Sequence, residues 1–221
     1  MTTVLTISGQ PGSGTTTVAE NIEERLDATY VNAGEIFRLL AADHGMSLSV
    51  FSKHVNENPE IDRSIDHQLR MTVDDFLGNE TAGGMPDGVD DSLELGIDID
   101  VDAEYMILES RLAGWIAGAD AHLRIWCQAP LDVRCDRLTE NTDDSEKADE
   151  LVERQADESM RYDEWYNIDI ADTTIYDLVV NTARWNGETV TDMVIAALQN
   201  HDPADDEGPT PTESPFLRPD Q

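Results

Sequence analysis

Gly9, Gly14 and Thr16 stand at the spacing of a phosphate-binding loop, G-x-x-x-x-G-K-[ST]. Within Ser8, Gly9, Gln10, Pro11, Gly12, Ser13, Gly14, Thr15 and Thr16, the glycines let the backbone turn with its N–H groups inward. The N-terminus of the helix that follows adds partial positive charge. Such a cradle suits a polyphosphate, and the Thr16 hydroxyl holds the position of a magnesium ligand. Thr15 stands where the loop lysine belongs. A lysine about 4 Å from a phosphate contributes several kcal/mol at an effective dielectric of about 20, so its absence leaves a real deficit of charge. On the glycines alone, a tight strand–helix turn that binds nothing stays open. A dinucleotide-binding turn fits less well, because Thr17 replaces the third glycine after Gly12 and Gly14.

Arginines are scarce, so their places carry information. Arg38 lies on an expected helix after the second strand and Arg111 just past the third. Arg134 and Arg137, three apart after the fourth strand, would share one side of a helix, as would Arg154 and Arg161, seven apart. Open α/β sheets bind ligands beyond the C-terminal ends of their strands, and forked guanidinium groups suit phosphate oxygens. Glu109 ends the third strand, where an acid can hold magnesium directly or through water while Thr16 offers its hydroxyl. The five histidines form no relay or metal pattern, and no G-x-S-x-G elbow, H-E-x-x-H or paired-cysteine motif occurs.

The elements that must position these groups alternate between strand and helix. Strand-like runs fall at Val4–Ile7, Tyr30–Asn32, Tyr105–Leu108, Leu123–Cys127 and Ile175–Val180. Helical periodicity separates them, as in Ile61, Ile65, Leu69, Val73 and Phe76, or Val18, Ala19, Ile22 and Leu26. The pattern predicts an α/β fold with a five-stranded parallel sheet covered by helices on both faces. Residues 1–200 suit one domain. The acidic stretch 78–104, including the alternating Ile97, Ile99 and Val101, reads as a solvated insertion loop, and 201–221 as a disordered acidic tail.

Charge bounds the partners. The 221 residues carry 47 acidic and 14 basic side chains, a formal net charge of −33, with Lys53 and Lys147 the only lysines. That surface argues against nucleic acid and anionic membranes as partners, yet leaves room for a pocket where a few arginines converge. No signal peptide opens the chain and no apolar run approaches a membrane span, so a cytoplasmic protein is expected. Cys127 and Cys135 read as buried free thiols in a reducing compartment.

Taken together the motifs resemble the nucleoside monophosphate kinases, and most closely the archaeal-type cytidylate kinases. The segments that carry this are Ile7–Thr17, Ala33–Arg38, Glu57–Asp62, Glu109–Trp115 and Ile175–Thr182. The resemblance implies a monomeric phosphotransferase that moves the γ-phosphate of ATP to CMP and dCMP. ATP would lie on the loop from Ser8 to Thr16, with Mg2+ near Thr16 and Glu109. The segment 34–77 would bind the acceptor, Arg38 and Arg111 gripping its phosphate, and 141–162 would be a lid carrying Arg154 and Arg161. Arg111, Arg137, Arg154 and Arg161 would be the catalytic cations, with Arg134 and Arg137 reaching ATP ahead of the lid. In that family threonine can replace the loop lysine.

Three alternatives stay open on the residues themselves. They are a kinase for another nucleoside monophosphate such as AMP or UMP, a kinase for a small metabolite, and a non-catalytic nucleotide-binding protein. The charge makes its own prediction, that of a protein built for a salt-rich cytoplasm. At molar salt the Debye length falls to about 3 Å and self-repulsion is screened. Thermal melting between about 0.1 and 3 M KCl should show stability rising steeply with salt; full stability at the low end contradicts this.

Overall fold

The computed structural model describes residues 2–79, 89, 93, 95–141, 148–201 and 216. Five strands, β1 (Thr3–Gly9), β2 (Thr29–Asn32), β3 (Tyr105–Glu109), β4 (Leu123–Gln128) and β5 (Leu178–Asn181), form one parallel sheet in the order β2-β3-β1-β4-β5. Helices α1 (Thr15–Leu26), α2 (Ala33–Asp43), α3 (Leu48–Glu57) and α4 (Glu60–Leu77) fill the first half of the chain. The short α5 (Ala113–Ala117), then α6 (Leu131–Asn141), α7 (Ala148–Tyr166) and α8 (Gly187–Asn200) fill the second. This is the α/β architecture expected.

Strand alternation divides the core. Leu5, Ile7 and Ile107 face α1 and α8, joining Val18, Ile22, Val190 and Val194. Val4, Met106 and Leu108 face the other way, onto Leu69 and Val73 of α4 and Ile116 of α5. The chain leaves β1 into α1 on one face and leaves β3 into α5 on the other. These two strands are hydrogen-bonded neighbours, Ile7 opposite Glu109. Their ends therefore border the crevice of a topological switch point, where open sheets take ligands. No helix among the described residues is long and apolar enough to cross a membrane.

Three expectations need correction. β5 begins at Leu178, not Ile175; ahead of it the Asp177 amide still donates to the Arg124 carbonyl at 3.0 Å, but the Arg124 amide goes to the Asp177 carboxylate at 2.7 Å instead of to a strand carbonyl. Residues 95–100 are not a freely solvated loop. Leu95, Ile97 and Ile99 pack against the α4 side of the core while their neighbours are exposed, and Gln68 of α4 accepts from the Leu95 amide at 3.3 Å. Their alternation is the mark of an extended segment lying on a helix, not of a sheet strand. Of the two free cysteines, Cys127 is buried and Cys135 only half so.

Most of the acidic stretch 80–94, residues 142–147 of the expected lid and most of the tail lie outside the described residues. One tail side chain is described. Phe216 is buried and meets Tyr166 edge-on, ring centroids 4.5 Å apart. Phe216→Ala should lower the unfolding free energy by about 1.5–3 kcal/mol, the worth of one buried aromatic side chain, as read from denaturant unfolding in molar salt.

Candidate active site

The loop between β1 and α1 is shaped by contacts that only small residues permit. A Cβ on Gly9 would stand 2.5 Å from the Cys127 carbonyl oxygen on β4, so the loop can cross the sheet edge there only as glycine. Gly14, at φ 86°, is the N-cap of α1 and supplies no side-chain cap, which leaves the first-turn amides of that helix for an anion. Thr15 is buried, and its Cγ2 would lie 2.9 Å from a Cβ on Gly9. The side chain in the lysine position is thus folded beneath the loop.

Three guanidinium groups grip the loop from outside. Arg111 Nη1 donates to the Gly9 carbonyl at 2.7 Å, Arg134 Nη1 to the Pro11 carbonyl at 3.1 Å and Arg137 Nη1 to the Gly12 carbonyl at 3.3 Å. Arg137 is itself fixed by Thr182, through the hydroxyl at 3.0 Å and the carbonyl at 2.9 Å, and Thr182 also donates to the Ser13 carbonyl at 2.5 Å. Within the loop, the amide of the Gly12–Ser13 peptide donates to the Gln10 carbonyl at 3.0 Å, closing a turn. Three positive charges thus lie on the loop's carbonyls.

Glu109, buried at the end of β3, accepts from Thr16 Oγ1 at 2.9 Å through one oxygen and from Tyr30 through the other. Asn32 Nδ2 donates to the Tyr30 hydroxyl at 2.9 Å. Burial and the Glu109 charge push the Tyr30 phenol well above its ordinary pKa. Adjacent hydroxyl and carboxylate oxygens are the donor set that magnesium uses alongside phosphates and waters, so Thr16 and Glu109 fit that ion. Among the described residues no group of three or more His, Cys, Asp or Glu forms an all-protein cage.

Helix α7 meets both the arginines that hold the loop and helices α3 and α4. Its Glu158 lies between Arg111 Nε at 3.3 Å and Arg154 Nε at 3.9 Å. Arg154 borders a cleft shared with Ser52 and Lys53 of α3. Arg161 is buried, with Nε and Nη2 each 3.2 Å from Asp62 Oδ2 on α4 and Nη1 donating to Asn56 Oδ1 on α3. Burial pushes the Asp62 carboxyl up to about 6, outweighing the Arg161 charge that pulls it down.

A model of the cytidylate kinase-like family matches residues 4–184. This chain belongs to that family. A cytidylate kinase of Halobacterium salinarum is 41% identical over 213 residues, 96% of this chain and 97% of that one. Another, from Methanocaldococcus jannaschii, is 38% identical over 202 residues, covering 89% and 98%. An unliganded sugar kinase from a Janibacter species superposes with a TM-score of 0.55 at 13% identity, covering 90% of this chain and 95% of that one, which speaks to the fold alone.

In this cytidylate kinase-like chain the structure gathers Arg111, Arg134 and Arg137 on the loop and Thr16 beside Glu109. Arg154 reaches the group through Glu158. Two others stand elsewhere. Arg38 on α2 is exposed, folded back over Gly34, and Arg161 ties α7 to α3 and α4. Sequence reasoning missed Tyr30, Asn32, Glu158 and the role of Thr182. Only Thr182 carried a signal, standing last in the motif Ile175–Thr182. Because Thr15 is enclosed, Thr15→Lys should overpack the loop, costing about 1–3 kcal/mol of stability and weakening ATP binding in calorimetry; tighter ATP binding at full stability would mean that the loop retains room for lysine.

Proposed function

We propose that this chain transfers the γ-phosphoryl group of ATP to CMP, and to dCMP, giving ADP and the nucleoside diphosphate. The observation that carries the reading is the loop from Gly9 to Thr16 with arginines 111, 134 and 137 on its carbonyls. The choice of cytidine is supported by the cytidylate kinases that align with nearly the whole chain. The setting proposed is pyrimidine nucleotide metabolism in a salt-rich cytoplasm, by a monomer; the acidic composition and the haloarchaeal relative support the salt-rich part.

The chemistry asks little of acid–base groups. A nucleoside monophosphate has its second phosphate pKa at about 6, so the attacking oxygen is already ionised near neutrality. The residues then have to align donor and acceptor, neutralise charge and exclude water. The loop amides and the first turn of α1 receive the donor phosphates. Arg137, fixed by Thr182, supplies positive charge on the donor side in place of lysine. Thr16 and Glu109 would hold magnesium, which would supply charge neutralisation to phosphate oxygens. Arg111, poised between the loop and α7, serves acceptor and transferring phosphates, and Arg38 at the start of the acceptor segment closes on the acceptor. Arg154 and Arg161 reach the transferring group by exchanging Glu158 and Asp62 for phosphate oxygens. The 34–77 and 141–162 segments close over the site and keep water out.

A coupled assay for ADP in molar KCl with magnesium tests this across CMP, dCMP, AMP, UMP and acceptors without a base. CMP-dependent ADP formation is expected, falling about tenfold or more in Arg154→Ala. Tight ATP binding without turnover on any acceptor would instead mark a non-catalytic nucleotide-binding protein.

A further inference from the structure

A chain of hydrogen bonds runs from the loop to the start of the acceptor segment. Thr16 donates to Glu109 Oε1 at 2.9 Å, Tyr30 donates to Glu109 Oε2, and Asn32 Nδ2 donates to the Tyr30 hydroxyl at 2.9 Å. Asn32 Oδ1 then accepts the Glu35 amide at 3.0 Å as the N-cap of α2. Tyr30 and Asn32 are two residues apart on β2, which pairs with β3 so that Asn32 stands opposite Glu109. The two side chains therefore share one face of the strand.

The direction of every bond in this chain is forced. An ionised carboxylate only accepts, so Tyr30 must donate to it. The phenol oxygen is then left as acceptor, and it takes a proton from the amide nitrogen of Asn32. That orients the amide with its oxygen toward the α2 amide. We propose that Tyr30 and Asn32 are positioning residues that aim the Glu109 carboxylate at the magnesium position and join it to the acceptor-binding helix. When Oε1 turns from Thr16 to a cation's shell, the Tyr30 bond to Oε2 is the restraint that remains. Any shift of Glu109 is passed to the cap of α2, so donor and acceptor sites sense one another. This inference rests on the kinase reading and on Thr16 and Glu109 as the magnesium oxygens.

The test uses the full chain in molar KCl with a non-hydrolysable ATP analogue, reading bound Mn2+ by its paramagnetic resonance signal. Tyr30→Phe should weaken Mn2+ binding about tenfold or more, as loss of an outer-shell partner does. Affinity for the analogue without metal should change less than about twofold, within the range of an uncoupled site. Asn32→Ser keeps a good N-cap but removes the donor to Tyr30. It should reduce the factor by which metal and analogue together tighten CMP binding in calorimetry. Unchanged Mn2+ affinity in a Tyr30→Phe protein that melts like wild type overturns the role of Tyr30. Should that variant fail to fold, unchanged coupling in Asn32→Ser overturns the proposal by itself. Absence of Mn2+-dependent analogue binding in the wild type would instead overturn the kinase reading, and this inference with it.

Discussion

Everything in the site depends on guanidinium groups bonded to the backbone carbonyls of the phosphate-binding loop. The loop makes one turn bond of its own, from the Ser13 amide to the Gln10 carbonyl at 3.0 Å, and its short side chains add little to that. Arg111, Arg134 and Arg137 brace it from outside, by holding the carbonyls of Gly9, Pro11 and Gly12. Bonds with an ionised donor are roughly twice as strong as neutral ones, and each residue comes from a different turn of the fold or a different register of α6. The loop is therefore tied to β3–α5 and to α6. Because the bracing groups are cations, the same contacts that shape the nest also make it attractive to a polyphosphate. Shape and charge, which a loop lysine would divide between backbone and side chain, are supplied here by one set of residues.

That arrangement reconciles a deeply acidic chain with an anionic ligand. Of 14 basic residues against 47 acidic ones, the structure commits three to the loop and a fourth, Arg154, beside it. Exposed charges feel molar salt strongly, since the Debye length there is about 3 Å, but buried or half-buried groups are screened much less. Arg134 is buried and Arg111 half-buried. Salt can thus quiet the surface while the loop keeps most of its field.

Strand and helix positions were readable from periodicity because the apolar residues of β1 and α4 face a core on every expected turn. The loop was readable from the spacing of Gly9, Gly14 and Thr16, and the arginines from their places after strands. What could not be read is where each arginine ends. Arg137 and Arg161 look alike in sequence, a cation on a helix near an acid. The first is claimed by Thr182 and Gly12, the second by Asp62 and Asn56. Such choices depend on which elements the fold brings face to face, and no local pattern encodes that. The same reason hid Tyr30, whose hydroxyl reaches across to the neighbouring strand, and the fate of Ile97 and Ile99, whose alternation meets a helix instead of a ladder.

Glu158 pairs with two guanidinium groups at once. Arg111 and Arg154 lie on opposite sides of one carboxylate, and without it their like charges would repel across a partly dry space. A carboxylate there holds the cations at the separation that a bidentate anion would also satisfy. If the proposed function holds, a phosphate entering there would replace one anion with another of higher charge, and the cations would already be assembled. Asp62 stands in the same relation to Arg161. Burial raises its carboxyl to about 6 against the pull of the Arg161 charge. The acidic side chains that dominate the composition thus order interior arginines as well as covering the surface, Glu158 between Arg111 and Arg154 and Asp62 on Arg161.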